Sequence, residues 1–171
     1  MTEKLKCVVV AVNSSEESMN ALNWALHNLK LHSSDSDEGE SSALVILHVQ
    51  PSPSIFAGVS PAPIPFIGPS DPEVPAFAAA IEAHQKRISE AIIAHALEIC
   101  SEEKPQMNVK TQVVVGDPKE VICEVVYKLN ADLLVMGSHS YGPILRMFLG
   151  SVSNYCTNQA HCPVVVVKDS S

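Results

Sequence analysis

The sequence predicts an α/β fold in which a doubly wound parallel sheet carries helices on both faces. Two observations carry that prediction. Five short β-branched, apolar runs recur along the 171 residues, and helical or loop segments separate each from the next. Parallel neighbours need a crossover of helix length, and strands covered on both faces read as continuous apolar runs.

The first strand is 6–12 (KCVVVAV), apolar almost throughout. Asn13, Ser14 and Ser15 follow it, residue types whose side chains accept the orphan N–H groups of a helix start. Leu22, Ala25, Leu26 and Leu29 then fall on one helical stripe. Residues 33–42 form a polar, acidic loop, and 43–49 (ALVILHV) a second buried strand. Residues 51–75 hold eight of the chain's twelve prolines with Gly58 and Gly68, so neither helix nor sheet interior is expected there. Phe56, Phe66 and Ile67 make this stretch more apolar than a plain linker, which suits a mobile cover, with an inert insertion as the alternative.

Residues 76–103 turn helical, with Ile81, His84, Ile88, Ile92, His95 and Ile99 on one face. A strand is expected at 109–115 (VKTQVVV). Asp117 is then placed as an N-cap, with Pro118 at the first helical position and Glu120 able to close a capping box. Val121, Ile122, Val125, Val126 and Leu129 form the buried stripe of that helix. A fourth strand at 132–136, a helix at 151–159 and a fifth strand at 164–167 complete the order. At this length one domain over 1–171 is expected.

Composition narrows the function. The chain is 46% hydrophobic and 18% charged, ordinary for a globular protein. Eleven Lys and Arg against nineteen Asp and Glu give a net charge of −8, which argues against nucleic acid or an anionic membrane as partner. No apolar stretch approaches the roughly 20 residues that cross a bilayer, so no transmembrane segment is expected. The charged start, 1–6, does not read as a signal peptide. Five cysteines (Cys7, Cys100, Cys123, Cys156, Cys162) include no CxxC pair, and four lie in apolar segments, as in a reduced intracellular protein. A redox pair of Cys156 and Cys162 is the alternative to simple packing, with no neighbouring base or lysine to activate either thiol.

Ligands of doubly wound sheets bind beyond the carboxyl ends of the strands, here Val12-Asn13, Val49-Gln50, Val115-Gly116 and Met136-Gly137. The informative stretch runs from Gly137 through a small-residue loop to Gly150, Ser151 and Ser153, where a helix opens. Glycine admits an anion to the backbone, and a helix start aims unpaired N–H groups at it. Ser151 and Ser153 are expected to add hydroxyl donors, with Arg146 and then Lys119 as the nearest cations in sequence. The plainer reading makes both glycines turn residues and Ser151 an N-cap.

These segments resemble the universal stress protein family. Its nucleotide-binding members carry Gly, two residues, Gly, nine residues, Gly and Ser or Thr; the counterparts here are Gly137, Ser140, Gly150 and Ser151. VAVNSS, the HV closing the second strand, VVVGDP, ADLLVMGS, GSVS and HCPVVVV are similar to the family in order and spacing, and the ending resembles plant members most. The resemblance implies a Rossmann-like, adenine nucleotide alpha hydrolase-like sheet of order 3-2-1-4-5. It also implies a cytoplasmic or nuclear homodimer that binds AMP, ADP or ATP in stress responses, with Mg only alongside a triphosphate, and regulatory protein partners. Ala11, Val12 and Asn13 would lie beside adenine and ribose, Val49 in the adenine pocket, and Met136 and Gly137 near the ribose and α-phosphate. Ser140, Gly150, Ser151 and Val152 would surround the phosphates, with Ser153 nearby. Val164, Val165, Val166 and Val167 would pair with their copies across a two-fold axis, which also removes an aggregation-prone edge.

Two departures stand out. Asn13 occupies a position where many members carry Asp, but an amide still bonds a ribose hydroxyl. Ser140 replaces a glycine, and a positive φ there would cost roughly 1–2 kcal/mol. No P-loop, nucleophile elbow, HExxH or first-strand GxGxxG is present, so no catalytic residue is assigned. His139 has no evident carboxylate partner, and His48, His84, His95 and His161 lack metal spacing and read as structural. Met147, Phe148 and Leu149 read as packing beside the last helix, and the serines of 33–42 as a solvated loop with phosphorylation as the alternative. An interaction or chaperone-like module with a weakened pocket is the second hypothesis, and a slow ATPase the third.

Overall fold

β1 (Cys7–Val12), α1 (Glu16–Asn28), β2 (Ala43–Gln50), α2 (Glu73–Glu103) and β3 (Val109–Val115) make the first half of the chain. The second half is α3 (Pro118–Lys128), β4 (Leu133–Gly137), α4 (Ser151–Gln159) and β5 (Val164–Val167). The computed structural model describes residues 5–31, 43–52, 73–138 and 150–168. The acidic loop, residues 53–72 of the proline-rich stretch, and the loop holding His139, Ser140, Gly142, Arg146 and Met147–Leu149 lie outside the described residues.

All four strand pairs are parallel, in the order β3-β2-β1-β4-β5, as the sequence predicts. Alternation along each strand feeds two cores. Val8, Val10, Leu44, Ile46 and Val135 pack with Leu22 and Leu26 of α1 and with Ile92 and Ala96 of α2. Val9, Val45, Leu47, Leu134 and Met136 pack with Ile122 and Val126 of α3 and Cys156 of α4. Val8, Val9 and Val10 are 0% exposed, which explains the unbroken apolar run; each such valine gains roughly 1.5–3 kcal/mol from burial. At the opposite end of the sheet, Asp132 precedes β4 rather than lying in it. Its Oδ2 accepts from the Lys6 and Cys7 N–H groups at 2.7 and 2.9 Å, pinning the start of β1 to β4.

Two N-caps follow the sequence. Ser15 is the N-cap of α1, its Oγ accepting from Ser18 N–H at 3.2 Å, and Asp117 caps α3 by accepting from Lys119 N–H at 2.9 Å. α3 ends in a Schellman turn: Ala131 N–H reaches Val126 O and Asn130 N–H reaches Tyr127 O, both at 3.1 Å, with Asn130 at φ 47°.

Three expectations are corrected. α2 begins at Glu73, so 73–75 are helical; Pro75 lies in the first turn, where the missing N–H has no intrahelical acceptor to lose. Leu129 is not buried but 38% exposed, because it is the C-cap where α3 leaves the core. The buried stripe of α2 is also rotated from the expected face. Gln85, Ser89, Ile92, Ala96 and Cys100 are buried, whereas Ile88 is 42% exposed and His84 and His95 face solvent. The cause is polar: Ser89 Oγ lies 3.1 Å from His48 Nε2 and 3.0 Å from Gln50 Oε1, and His48 Nδ1 lies 2.9 Å from Val12 O. Those groups would be costly to bury unpaired, so they fix which side of α2 meets β2.

Candidate functional site

β1 leads to β2 on one side, and β4 lies on the other, so the ends of β1 and β4 diverge where the winding reverses. A cavity of about 450 Å³ opens there. Its apolar wall is Ala11, Leu47, Val49, Met136, Pro118 and Ile122. Opposite stand Gly150, Ser151, Val152 and Ser153, with Val12, Asn13, Ser15, Ser18 and Gly137 on the rim. Every residue assigned to the site from sequence therefore lines this one cavity, except Ser140, which lies outside the described residues.

The rim is held by a compact turn. Asn13 Oδ1 accepts from Ser15 N–H at 2.8 Å, and Ser18 Oγ accepts from Asn13 N–H at 3.0 Å. The Ser18 hydroxyl also lies 3.0 Å from Asn13 O and 2.9 Å from Ser15 O, tying the end of β1 to the first turn of α1. With its oxygen engaged, Asn13 offers its side-chain NH₂ as a donor, on an exposed residue.

Gly137 is glycine because of what lies behind it. A Cβ there would sit 2.4 Å from Glu17 O and 2.8 Å from Ser18 N, inside the backbone of α1. Close helix–strand packing, rather than the approach of an anion, demands this residue. Gly150 is different: at φ −55° and ψ 154° it is the N-cap of α4, a conformation open to other residues. Behind it the N–H groups of the first turn have no intrahelical acceptor and carry the positive end of the helix dipole. The expected donor role of Ser153 is corrected. Its hydroxyl donates to Gly150 O at 3.0 Å and the residue is 3% exposed, so its proton is spent bracing the turn. Ser151 remains exposed.

No charged or titratable side chain lines the cavity among the described residues, and Lys119 is not in its wall. No group of three or more His, Cys, Asp or Glu among the described residues is placed to hold a metal ion. Among the described residues the cavity offers an apolar slot beside backbone amides, one side-chain amide and hydroxyls.

Sequence reasoning missed Ser15, Ser18, Leu47, Pro118 and Ile122. Leu47 was readable, since strand side chains alternate and it shares the face of Val49. Pro118 and Ile122 follow from the third strand end, Val115-Gly116, whose helix start reaches the same mouth. Cys156 is packed in the core, as the favoured reading of that thiol has it, and Cys123 Sγ stands 3.8 Å from its sulfur. Burial, and secondarily Cys123, pushes the Cys156 thiol up to about 12, and burial pushes Cys100 up to about 11. No helix among the described residues is long and apolar enough to cross a membrane.

A model of the universal stress protein family matches residues 4–168. Universal stress protein PHOS34 of Arabidopsis thaliana is 31% identical over 93% of this chain, and the match spans 60% of its own length; the chain thus covers less than two thirds of that relative. Among solved structures, that of hypothetical protein MJ0577 superposes with a TM-score of 0.68 at 23% identity, covering 99% of each chain. A universal stress protein family protein from Arabidopsis thaliana with AMP bound superposes with a TM-score of 0.59 at 24% identity, over 97% of this chain and 93% of that one. At these identities the structural likeness establishes the fold.

Proposed function

The chain belongs to the universal stress protein family, and from that membership we propose that its strand-end cavity binds an adenine nucleotide, with AMP, ADP and ATP as the candidates. One observation carries the reading: an apolar slot and the open first turn of α4 share a single cavity. Its volume of about 450 Å³ falls within the range of about 300–1,000 Å³ common to small-molecule sites. The AMP bound by the Arabidopsis thaliana structural neighbour supports the same ligand class.

In this reading Ala11, Val49, Met136 and Ile122 sandwich the purine, and the Asn13 amide donates to a ribose hydroxyl. The amides of Ser151, Val152 and Ser153 hold the phosphate nearest the ribose. Each favourable placement of charge at a helix start is worth about 0.3–1 kcal/mol. The described wall holds no cation for added phosphates, and AMP is expected to bind within about tenfold of ATP. Mg enters only with a triphosphate. The bound nucleotide is proposed to set the conformation offered to regulatory protein partners, without a catalytic step.

The same proposal takes residues 1–171 as one cytoplasmic domain that dimerises through Val164, Val165, Val166 and Val167. These four are half-buried, and among the described strands β5 is at the edge of the sheet, where a row of valines favours pairing with a copy. Calorimetric titration of nucleotide-free protein with AMP, ADP, ATP and adenosine tests the ligand. Saturable heat is expected below about 1 mM, and silence at that concentration overturns the reading. Sedimentation velocity tests the dimer separately.

The interaction-module reading, with a weakened pocket, is favoured by one detail: Ser153 has turned its hydroxyl inward. It requires partner binding that is indifferent to nucleotide.

A further inference from the structure

We propose that Cys123 and Cys156 form a peroxide-sensitive dithiol that closes into a disulfide between α3 and α4. Their sulfurs already stand 3.8 Å apart, in contact, against a bond length of about 2.05 Å. The two cysteines are reached differently. Cys123 is half-buried, open to a small oxidant, while Cys156 is 0% exposed and touches Cys123 from inside the core. That asymmetry separates a sulfur that meets peroxide from a sulfur that resolves it.

The chemistry balances. Cys123 gives up its proton, the thiolate attacks one oxygen of hydrogen peroxide, the O–O bond breaks, and a sulfenic acid forms while the departing hydroxide takes up that proton to become water. Cys156 sulfur then attacks the Cys123 sulfur; the S–S bond forms, the S–O bond breaks, and hydroxide leaves as water with the Cys156 proton. Two thiols and one peroxide yield one disulfide and two waters.

The placement gives the bond a consequence. Cys123 follows Ile122 and Cys156 lies one turn beyond Ser153, so the bridge would lock together two helices whose N-terminal ends both line the cavity. Cys162 is the competing partner, since its thiol lies within electrostatic reach of Cys123 and Cys7. Burial keeps Cys156 protonated at neutral pH, so closure is slow there and speeds up as pH rises.

The test is intact mass and non-reducing peptide mapping of the full reduced chain after exposure to hydrogen peroxide, with free thiols alkylated at the end. The expected product has lost two hydrogen atoms, carries the peptide of Cys123 joined to that of Cys156, and reverts with dithiothreitol. Cys162→Ser should keep the cross-link and Cys123→Ser should lose it, and the latter alters only a half-buried site. A cross-link that survives in Cys123→Ser but vanishes in Cys162→Ser overturns the proposal, as does peroxide yielding sulfinic acid without any bridge.

Discussion

Gly137 closes β4 and Gly150 opens α4, and both line the cavity. In the sequence they look like two halves of one anion-binding device. The structure gives them opposite duties. Gly137 has the backbone of α1 where its side chain would be, at 2.4 Å from Glu17 O, and so serves the fold first. Gly150 has an extended backbone that tolerates substitution, and so serves whatever enters the cavity. Glycine in a ligand motif can thus be retained for the architecture behind the ligand, and stability measurements tell the two roles apart.

The largest effect expected is that of Gly137→Ala. Pushing α1 away should cost about 1–3 kcal/mol in urea denaturation and should disturb the Asn13–Ser15–Ser18 turn, so nucleotide binding falls with it. A variant of undiminished stability would break the comparison. Gly150→Val comes next, with the reverse signature. It should cost no more than about 1 kcal/mol of stability, yet weaken AMP about tenfold or more in calorimetry while changing adenosine less.

The packing half of the comparison is sharpened by pH. Cys156 and Cys100 titrate at about 12 and 11 in the folded chain against an ordinary 9.0, so the fold holds their protons longer than the unfolded chain does. Their contribution to stability is complete below pH 9 and is lost as pH rises toward 11 and 12. Urea midpoints measured from pH 8 to pH 11 should fall above 9, and less so in a Cys100→Ala/Cys156→Ala double variant. The smallest effect expected is at Asn130, which carries the left-handed backbone (φ 47°) that neither cavity glycine has. Asn130→Gly should stabilise by up to about 1 kcal/mol in thermal or urea unfolding.

β1, β2 and β4 were legible because burial on both faces leaves little room for polar residues, and runs such as Val8–Val10 announce it. Ser15 and Asp117 were legible because capping is local chemistry. The cavity was legible where its residues sit at strand ends, as Val12, Asn13, Val49 and Met136 do. Ser18 was not, since its role depends on α1 curling back to put a hydroxyl against Asn13. The reason for Gly137 was hidden for the same cause: the approach of a helix 120 positions earlier leaves no local mark. The contact of Cys156 with Cys123 was not legible, since it depends on α3 packing on α4 across 33 positions of chain.

The contact of His48 with Ser89 decides more than the fate of two polar groups. α2 carries isoleucines on both its inner and outer sides, Ile92 within and Ile88 without, so grease alone would let a 31-residue rod roll or slide on the sheet at little penalty. Advance it by one residue and His48 would confront Ile88 or Glu90 in place of a hydroxyl. A single buried serine thereby acts as the tooth that indexes the longest helix, and the imidazole it engages also grips Val12 O, the last carbonyl before the cavity mouth.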